Sequence, residues 1–401
     1  MRSRLLSAAF LLGSWAISAQ NQAVNLSMGP GYANDLYYSF ANGLVKSEPG
    51  NNWHLAFTAR IVDASILINE VNTQVQAFVG ANDTTSWATL DTTGQAWTPL
   101  HNSDQDWAYG ALANLGTSFP DYGWGVYNTI THNVFGNRIF VIKIGAVFKK
   151  FMVRSMKSNG EYTFRIANLD GTNELTKVVN KSAYAGKNFF YYNVITDQFI
   201  DREPATTAWD FVARRYLTVV QNQWYPVTGI QTNLDRVSAK VVGVDTASND
   251  WSTAVLNGNI SNIGSDWKSF NNTTFQWQLA DSTTYFATAG SGDLYKVVFT
   301  SFAGSGTGNF SFNQKMVSAL STPEVELPQV ALYPNPSQGA VTIAVPEIGG
   351  TTTIRILDFA GRTVRNLPVM EQQRIEGLPA GAYLVVAEGP AGNAIQKLLV
   401  Q

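Results

Sequence analysis

The chain carries three histidines and no cysteine, which already restricts the chemistry open to it. Without thiols there is no disulfide, thiolate metal site or cysteine nucleophile. A serine hydrolase needs its nucleophile held by a base and an orienting acid. The serines in Gly290–Ser291–Gly292 and Gly304–Ser305–Gly306 read as turn residues, because no helical pattern follows them as it does at a nucleophile elbow. His54 follows Trp53 on an expected strand, so alternation points it away from the tryptophan and towards solvent. His101 lies in Pro99–Leu100–His101–Asn102–Ser103–Asp104, a loop by composition, and His132 in the turn Thr131–His132–Asn133. Asp104, Asp106 and Asp121 cluster near Trp107 and Trp124, which suits sugar stacking or calcium, yet the closely spaced ligands and fixed glycine of a calcium loop are missing. Paired carboxylates for glycoside hydrolysis are a tertiary property that spacing along the chain does not reveal. The expectation is a protein that is not an enzyme.

The elements that must position these residues are strands. Aromatics make up 12% of 401 residues and charged residues only 14%, with Asn, Thr, Ser, Gln and Gly filling the polar fraction. Aromatic and β-branched residues suit a pleated, half-buried surface, and Asn, Gly and Asp supply its turns, so the fold class expected is all-β. The length calls for two or three domains. A net charge of −2, with no long run of either sign, gives no electrostatic reason for a nucleic-acid partner. Met1–Arg2–Ser3–Arg4, the apolar run Leu5 to Trp15 and the small Ser18–Ala19 have the pattern of a secretory signal peptide over residues 1–19. That run is too short to span a bilayer, and no other apolar stretch approaches eighteen residues, so the expected product is not membrane-spanning. Residues 317–330, with Ser321 to Gln329 reading STPEVELPQ, are expected to form an extended linker. From 331 to 401, short alternating segments at Val341–Val345, Thr353–Leu357, Tyr383–Ala387 and Ile395–Val400 predict a small Ig-like β-sandwich.

That last segment resembles the type A sorting domain of the type IX secretion system. The residues carrying the likeness are Tyr333–Pro334–Asn335–Pro336, Gly339, Asp358 with Gly361–Arg362, Pro379–Ala380–Gly381–Ala382–Tyr383, and the ending Gln396–Lys397–Leu398–Leu399–Val400. The resemblance implies a Bacteroidota source, the type IX secretion machinery as partner, and removal of this domain with release or attachment at the cell surface.

The middle of the chain repeats itself. Tyr37–Tyr38 and Trp53–His54–Leu55–Ala56–Phe57 are echoed by Tyr191–Tyr192 and Trp209–Asp210–Phe211–Val212–Ala213. Asp106–Trp107 pairs with Asp250–Trp251, and Trp124-x-x-Tyr127–Asn128 with Trp267-x-x-Phe270–Asn271. Thr131–His132 falls opposite Thr274–Phe275, Lys150 opposite Lys296, and Tyr162-x-Phe164 opposite Phe310-x-Phe312. Matches in one order with modest gaps predict two tandem β-domains, residues 32–178 and 189–316. Ile139–Ile144, Phe151–Met156 and Tyr162–Ile166 read as a meander, and Thr207 to Tyr216 as a strand or a short helix, the strand favoured by analogy with Trp53–Arg60.

Each copy resembles the HmuY family of secreted, mostly β haem-binding proteins, through Gly123–Trp124–Gly125–Val126–Tyr127–Asn128, Thr131–His132, Arg138–Ile139–Phe140–Val141–Ile142–Lys143 and Lys149–Lys150–Phe151. His54 stands where that family usually has Asp. The resemblance implies haem, or a haem-protein, as partner, gripped by two axial side chains. The loop histidines His101 and His132 are the pair expected to hold it, and the second copy, with Phe275 in place of histidine, has no such ligand. A loop histidine also serves simply by bonding its own turn. Met152 and Met156 are expected as core filler on one strand face, and Met28 as part of a loosely held amino terminus. The alternative is a surface module contacting glycan, protein or matrix through exposed aromatics, with no cofactor.

Overall fold

The computed structural model describes residues 21–60, 63–95, 97–318, 330–344, 353–358, 362–370, 372–389 and 392–401. The leader expected at 1–19 lies outside them, as does the expected linker between 319 and 329, while Val317 and Ser318 belong to a strand. Contacts divide the chain into two units between Ala319 and Leu320. The described residues form strands joined by turns and short 3-10 segments, so the all-β expectation holds.

In the first unit, the first repeat supplies β1 (Gln22–Ser27), β2 (Asn34–Ser39), β3 (Gly43–Pro49), β4 (Leu55–Thr58), β5 (Ile66–Ile68) and β6 (Val75–Ala81). It continues with β7 (Gly125–Tyr127), β8 (Val134–Gly136), β9 (Ile139–Ile144), β10 (Val147–Met156) and β11 (Glu161–Asn168). The second repeat starts earlier than the expected residue 189, as the first starts before residue 32, and it supplies β12 (Leu175–Asn180), β13 (Phe189–Asn193), β14 (Gln198–Ile200), β15 (Phe211–Val220), β16 (Gln223–Thr232) and β17 (Ser238–Val242). Then come β18 (Lys268–Asn271), β19 (Gln276–Leu279), β20 (Thr283–Thr288), β21 (Leu294–Phe302) and β22 (Asn309–Ser318). The meander β9–β10–β11 lies where the sequence predicts it, whereas the strand expected over Thr207–Tyr216 starts only at Phe211, after a 3-10 turn at Thr206–Ala208, and runs on to Val220.

The repeats do not fold side by side. Each gives its first three strands to the other. On one side the sheet runs β6-β9-β10-β11-β12, with β13 pairing β4 in a second sheet, β14-β13-β4-β5. On the other it runs β17-β20-β21-β22-β1, with β2 pairing β15 in the sheet β16-β15-β2-β3. The spans 32–178 and 189–316 are therefore not self-contained: each closes its core with strands from the other. Phe190 and Tyr192 of β13 fill the core of the first half beside Phe57, Trp124, Phe151 and Phe164. Val24 and Leu26 of β1 and Tyr38 of β2 fill that of the second beside Phe211, Trp267 and Phe312. Met28, expected near a loose terminus, is 1% exposed in that core.

The two four-stranded sheets also pack on each other through Tyr37, Trp53, Ala56, Phe189, Tyr191, Trp209 and Val212. β4 is consequently buried on both faces, Leu55 and Phe57 to one side and Ala56 to the other. His54, in the bend just before β4, is 5% exposed rather than solvent-facing, with Tyr192 of β13 and the following Val194 bonded to it. Alternation across a strand locates solvent only where one sheet face is open. Met152 and Met156 also part company. A bulge between Val153 and Ser155 shifts the register, so Met152 packs with Trp87 and Ile139 while Met156 joins the main core.

The repeated motif residues are the joints of this exchange. The Val194 N–H donates to His54 Nδ1 at 3.1 Å, and at the equivalent place the Phe40 N–H donates to Asp210 Oδ2 at 2.8 Å. Each side chain thus ends the strand received from the other repeat. Asn69 and Asn233 are a further equivalent pair, donating to the carbonyls of Trp53 and Trp209. Lys150 and Lys296 pin loops through the carbonyls of Trp87 and Ser248. Gly160 and Gly308 both take positive φ, and their carbonyls receive the N–H groups of Lys181 and Met28. A Cβ on Gly308 would lie 2.3 Å from the Gly29 carbonyl oxygen.

Glu203, 2% exposed, accepts from the Asn188 N–H and the Tyr191 hydroxyl, both at 2.9 Å. Burial pushes its carboxyl up from 4.5 to about 7, against those bonds. An acid raised on folding contributes stability below 4.5 that is lost as pH rises through 7. Glu203→Gln should flatten this fall and be at least as stable as the wild type at pH ~8. Melting temperatures of both chains across pH 4–8 check this, and parallel profiles would refute it. Burial lowers His54, so its contribution falls away on the acid side, as pH drops below 6.5.

The second unit holds β23 (Ala331–Tyr333), β24 (Ala340–Ala344), β25 (Thr353–Asp358), β26 (Thr363–Leu367), β27 (Gln372–Glu376), β28 (Gly381–Gly389) and β29 (Gly392–Val400). They form sheets β23-β24-β27 and β26-β25-β28-β29 around Ile343, Ile354, Ile356, Val385 and Leu398. This is the expected small sandwich. Among the described residues no helix is long and apolar enough to cross a membrane.

Candidate functional site

The expected ligand histidines have separate surroundings. His101 Nδ1 lies 2.8 Å from Glu70 Oε1, and its ring stacks on Trp224 with centroids 4.4 Å apart. Trp224 comes from β16, whose hairpin with β15 is far longer than its counterpart β4–β5. Burial raises the Glu70 carboxyl, and the bond to His101 opposes that shift. His132 sits at φ 56 in the turn joining β7 to β8, its Nδ1 2.7 Å from the Tyr127 hydroxyl. Asn128 Oδ1 accepts from the Ile130 and Thr131 N–H groups to make that turn. The other repeat builds the same turn with Asn271 Oδ1, Thr273 and Thr274, and Phe275 takes φ 54. The Tyr/Phe–Asn-x-x-Thr–His/Phe pattern therefore specifies a turn geometry that accepts either residue. His101 is thus held by Glu70 and Trp224, and His132 by Tyr127. Among the described residues no group of three or more His, Asp or Glu side chains could hold a metal ion.

A different feature of the first half has the form of a ligand site. The segment before β5 and the stretch between β6 and β7 form a cleft of about 320 Å³ lined by Asp63, Tyr109, Ser118, Phe119, Asp121 and Tyr122. Tyr109 and Phe119 are 52% and 68% exposed. Tyr127 backs the cleft, its ring 5.5 Å from Phe119 and 6.4 Å from Tyr122, and so links His132 to its rim. Both carboxylates are already paired, Asp63 with Arg60 and Asp121 with Arg138, each at 3.3 Å. The Trp124 indole N–H donates to the Ala64 carbonyl at 2.7 Å and fixes the floor. Asp121 was noted in the sequence beside Trp124. Tyr109 and Phe119 were not, since nothing in their spacing separates exposed loop aromatics from buried ones.

In the second unit, Asn335 Nδ2 donates to the Lys397 carbonyl at 2.6 Å and its Oδ1 accepts from the Leu399 N–H at 2.9 Å. The Tyr333–Pro334–Asn335–Pro336 motif thereby fastens β29. Gly339 takes φ 103, Gly381 opens β28, Tyr383 donates its hydroxyl to the Pro379 carbonyl at 2.9 Å, and Lys397 is exposed on β29. Gly361 lies outside the described residues.

Residues 331–401 match the family described as the secretion system C-terminal sorting domain. A domain of this family directs export through the type IX secretion system, and the protein is a secreted or cell-surface one. None of the curated proteins matches the chain. Among solved structures, dimeric latent PorU from Porphyromonas gingivalis aligns at 12% identity and a TM-score of 0.15, over 84% of this chain and 31% of that one.

Proposed function

We propose that the first unit works outside the cell as a non-catalytic binding protein, and that the Tyr109–Phe119–Tyr122 cleft takes a carbohydrate ring. The exposure of those aromatic faces beside two arginine-neutralised carboxylates carries the reading. Exposed rings offer flat apolar surface for sugar C–H faces, and paired carboxylates still accept hydroxyl donors while leaving little net charge to attract an ion. A volume of about 320 Å³ is in the range of small-ligand pockets. The HmuY resemblance implies haem instead, held by His101 and His132. Their Nδ1 atoms face Glu70 and Tyr127, so iron would have to be reached by the Nε2 atoms of both rings on opposite faces of one haem.

Titration with a panel of methyl glycosides, followed by tryptophan fluorescence, tests the reading. Tyr109→Ala and Phe119→Ala should each weaken binding about tenfold, a loss of ~1.4 kcal/mol, without changing the melting temperature. Binding by none of the sugars, or equal binding by both variants, would overturn it. A Soret shift on adding haemin that disappears in His101→Ala with His132→Ala would favour haem capture.

A further inference from the structure

Lys181 stands out when the repeats are compared position by position. Its counterpart across the exchange is Met28: their N–H groups bond the equivalent glycine carbonyls, Gly160 and Gly308. Met28 fills its site as plain core, 1% exposed, so the fold does not demand an ammonium there. Lys181 is nonetheless 2% exposed. Its Nζ donates to the carbonyls of Arg60 and Asp63, each at 2.5 Å, and lies 5.3 Å above the Tyr162 ring. Arg60 and Asp63 form the ion pair at one wall of the cleft, and Ala64 beside them receives the Trp124 indole. Lys181 follows β12, in the segment that the second repeat hands to the first. It also lines a cavity of about 370 Å³ with Arg60, Gly160, Lys187 and Asp235.

We infer that Lys181 is a positioning residue for the ligand cleft: through its exchanged segment the second repeat holds the Arg60–Asp63 wall of the first repeat's site. This rests on the cleft being the binding site, and it gives the second repeat a role in binding that needs no ligand of its own. A buried ammonium bonded to two carbonyls is worth more than a neutral donor in the same place, because charge-assisted hydrogen bonds are roughly twice as strong. Burial lowers the Lys181 ammonium to about 8, with the Asp63 carboxylate opposing that shift. The other titratable groups facing it are Arg60, Tyr162, Lys187 and Asp235. Lys187 is itself paired with Asp201.

The test is Lys181→Met, which copies the other repeat, made in the full chain. Amide hydrogen exchange at Asp63 and Ala64 should accelerate about tenfold or more, while Phe151 and Val153 of β10 keep their protection. In the unsubstituted chain the Trp124 indole N–H resonance should titrate with a midpoint near pH 8, and in Lys181→Met that titration should vanish. Unchanged exchange at Asp63 and Ala64 overturns the inference. So does loss of protection throughout the unit, which would make Lys181 a general stability residue. The glycoside titration is separate: if no sugar binds the unsubstituted chain, the binding reading fails while the exchange result still judges the wall. If a sugar binds, Lys181→Met should weaken it without removing it.

Discussion

Replacing Arg202 with alanine should cost the first unit about 3–5 kcal/mol, one of the two largest effects expected in the chain. Arg202 is 1% exposed in the segment after β14. Its Nη2 donates to Asp35 Oδ2 at 2.9 Å and to the Pro49 carbonyl at 3.1 Å, and its guanidinium lies 5.1 Å from the Tyr191 ring. Asp35 is the second residue of β2, which travels in the opposite direction of the exchange. The ion pair therefore ties the two traded hairpins to each other. Removing one partner leaves a buried carboxylate whose other oxygen, Oδ1, already lacks a hydrogen bond. Asp35→Asn combined with Arg202→Met should recover much of the loss, because it leaves no unpaired charge. Urea unfolding of the full chain provides the measurement. A loss below ~1 kcal/mol for Arg202→Ala would show the pair to be dispensable.

The sequence made the repeat and the strands readable because both leave periodic marks. Trp53 and Trp209, Lys150 and Lys296, and Tyr162 and Phe310 are the same structural posts set twice. The exchange left no such mark. Tyr37–Tyr38 puts one ring into a core and the other against the neighbouring sheet, and Tyr191–Tyr192 does the same. That pattern is identical whether a hairpin closes its own repeat or its neighbour's, because alternation fixes faces and not partners. His54 was misread for the same reason. It stands just before β4, and its burial comes with the traded strand β13, whose Tyr192 and following Val194 bond it from more than a hundred residues away in sequence. His132 was legible as a turn residue, but the ligand role rested on a family pattern that Phe275 satisfies equally well in backbone geometry. The cleft residues Tyr109 and Phe119 lie in an irregular stretch between β6 and β7, where no periodicity reports exposure.

Cutting the chain between the repeats should not separate them. The connection from β11 to β12 turns through Asp170, Thr172 and Asn173, which are exposed and bear no core side chain. A protease site inserted at Asp170–Gly171 should be cleaved without unfolding the protein. If the repeats were beads on a string, the cut would release a piece ending near Asn168 from one beginning near Leu175. With three strands exchanged each way, separation would strip β12 from β11, β13 from β4, β1 from β22 and β2 from β15 together. It would also expose Phe190, Tyr192, Leu26 and Tyr38, each now buried in the other repeat's core. The cleaved protein should run as one particle of undiminished mass on gel filtration, with the pieces parting only in denaturant. Its unfolding should remain a single transition, but the midpoint should now rise with protein concentration, because refolding has become an association. Two half-sized species under native conditions would mean that each repeat can close its own core, and the pairing of β2 with β15 and β13 with β4 would then not be what holds the unit together.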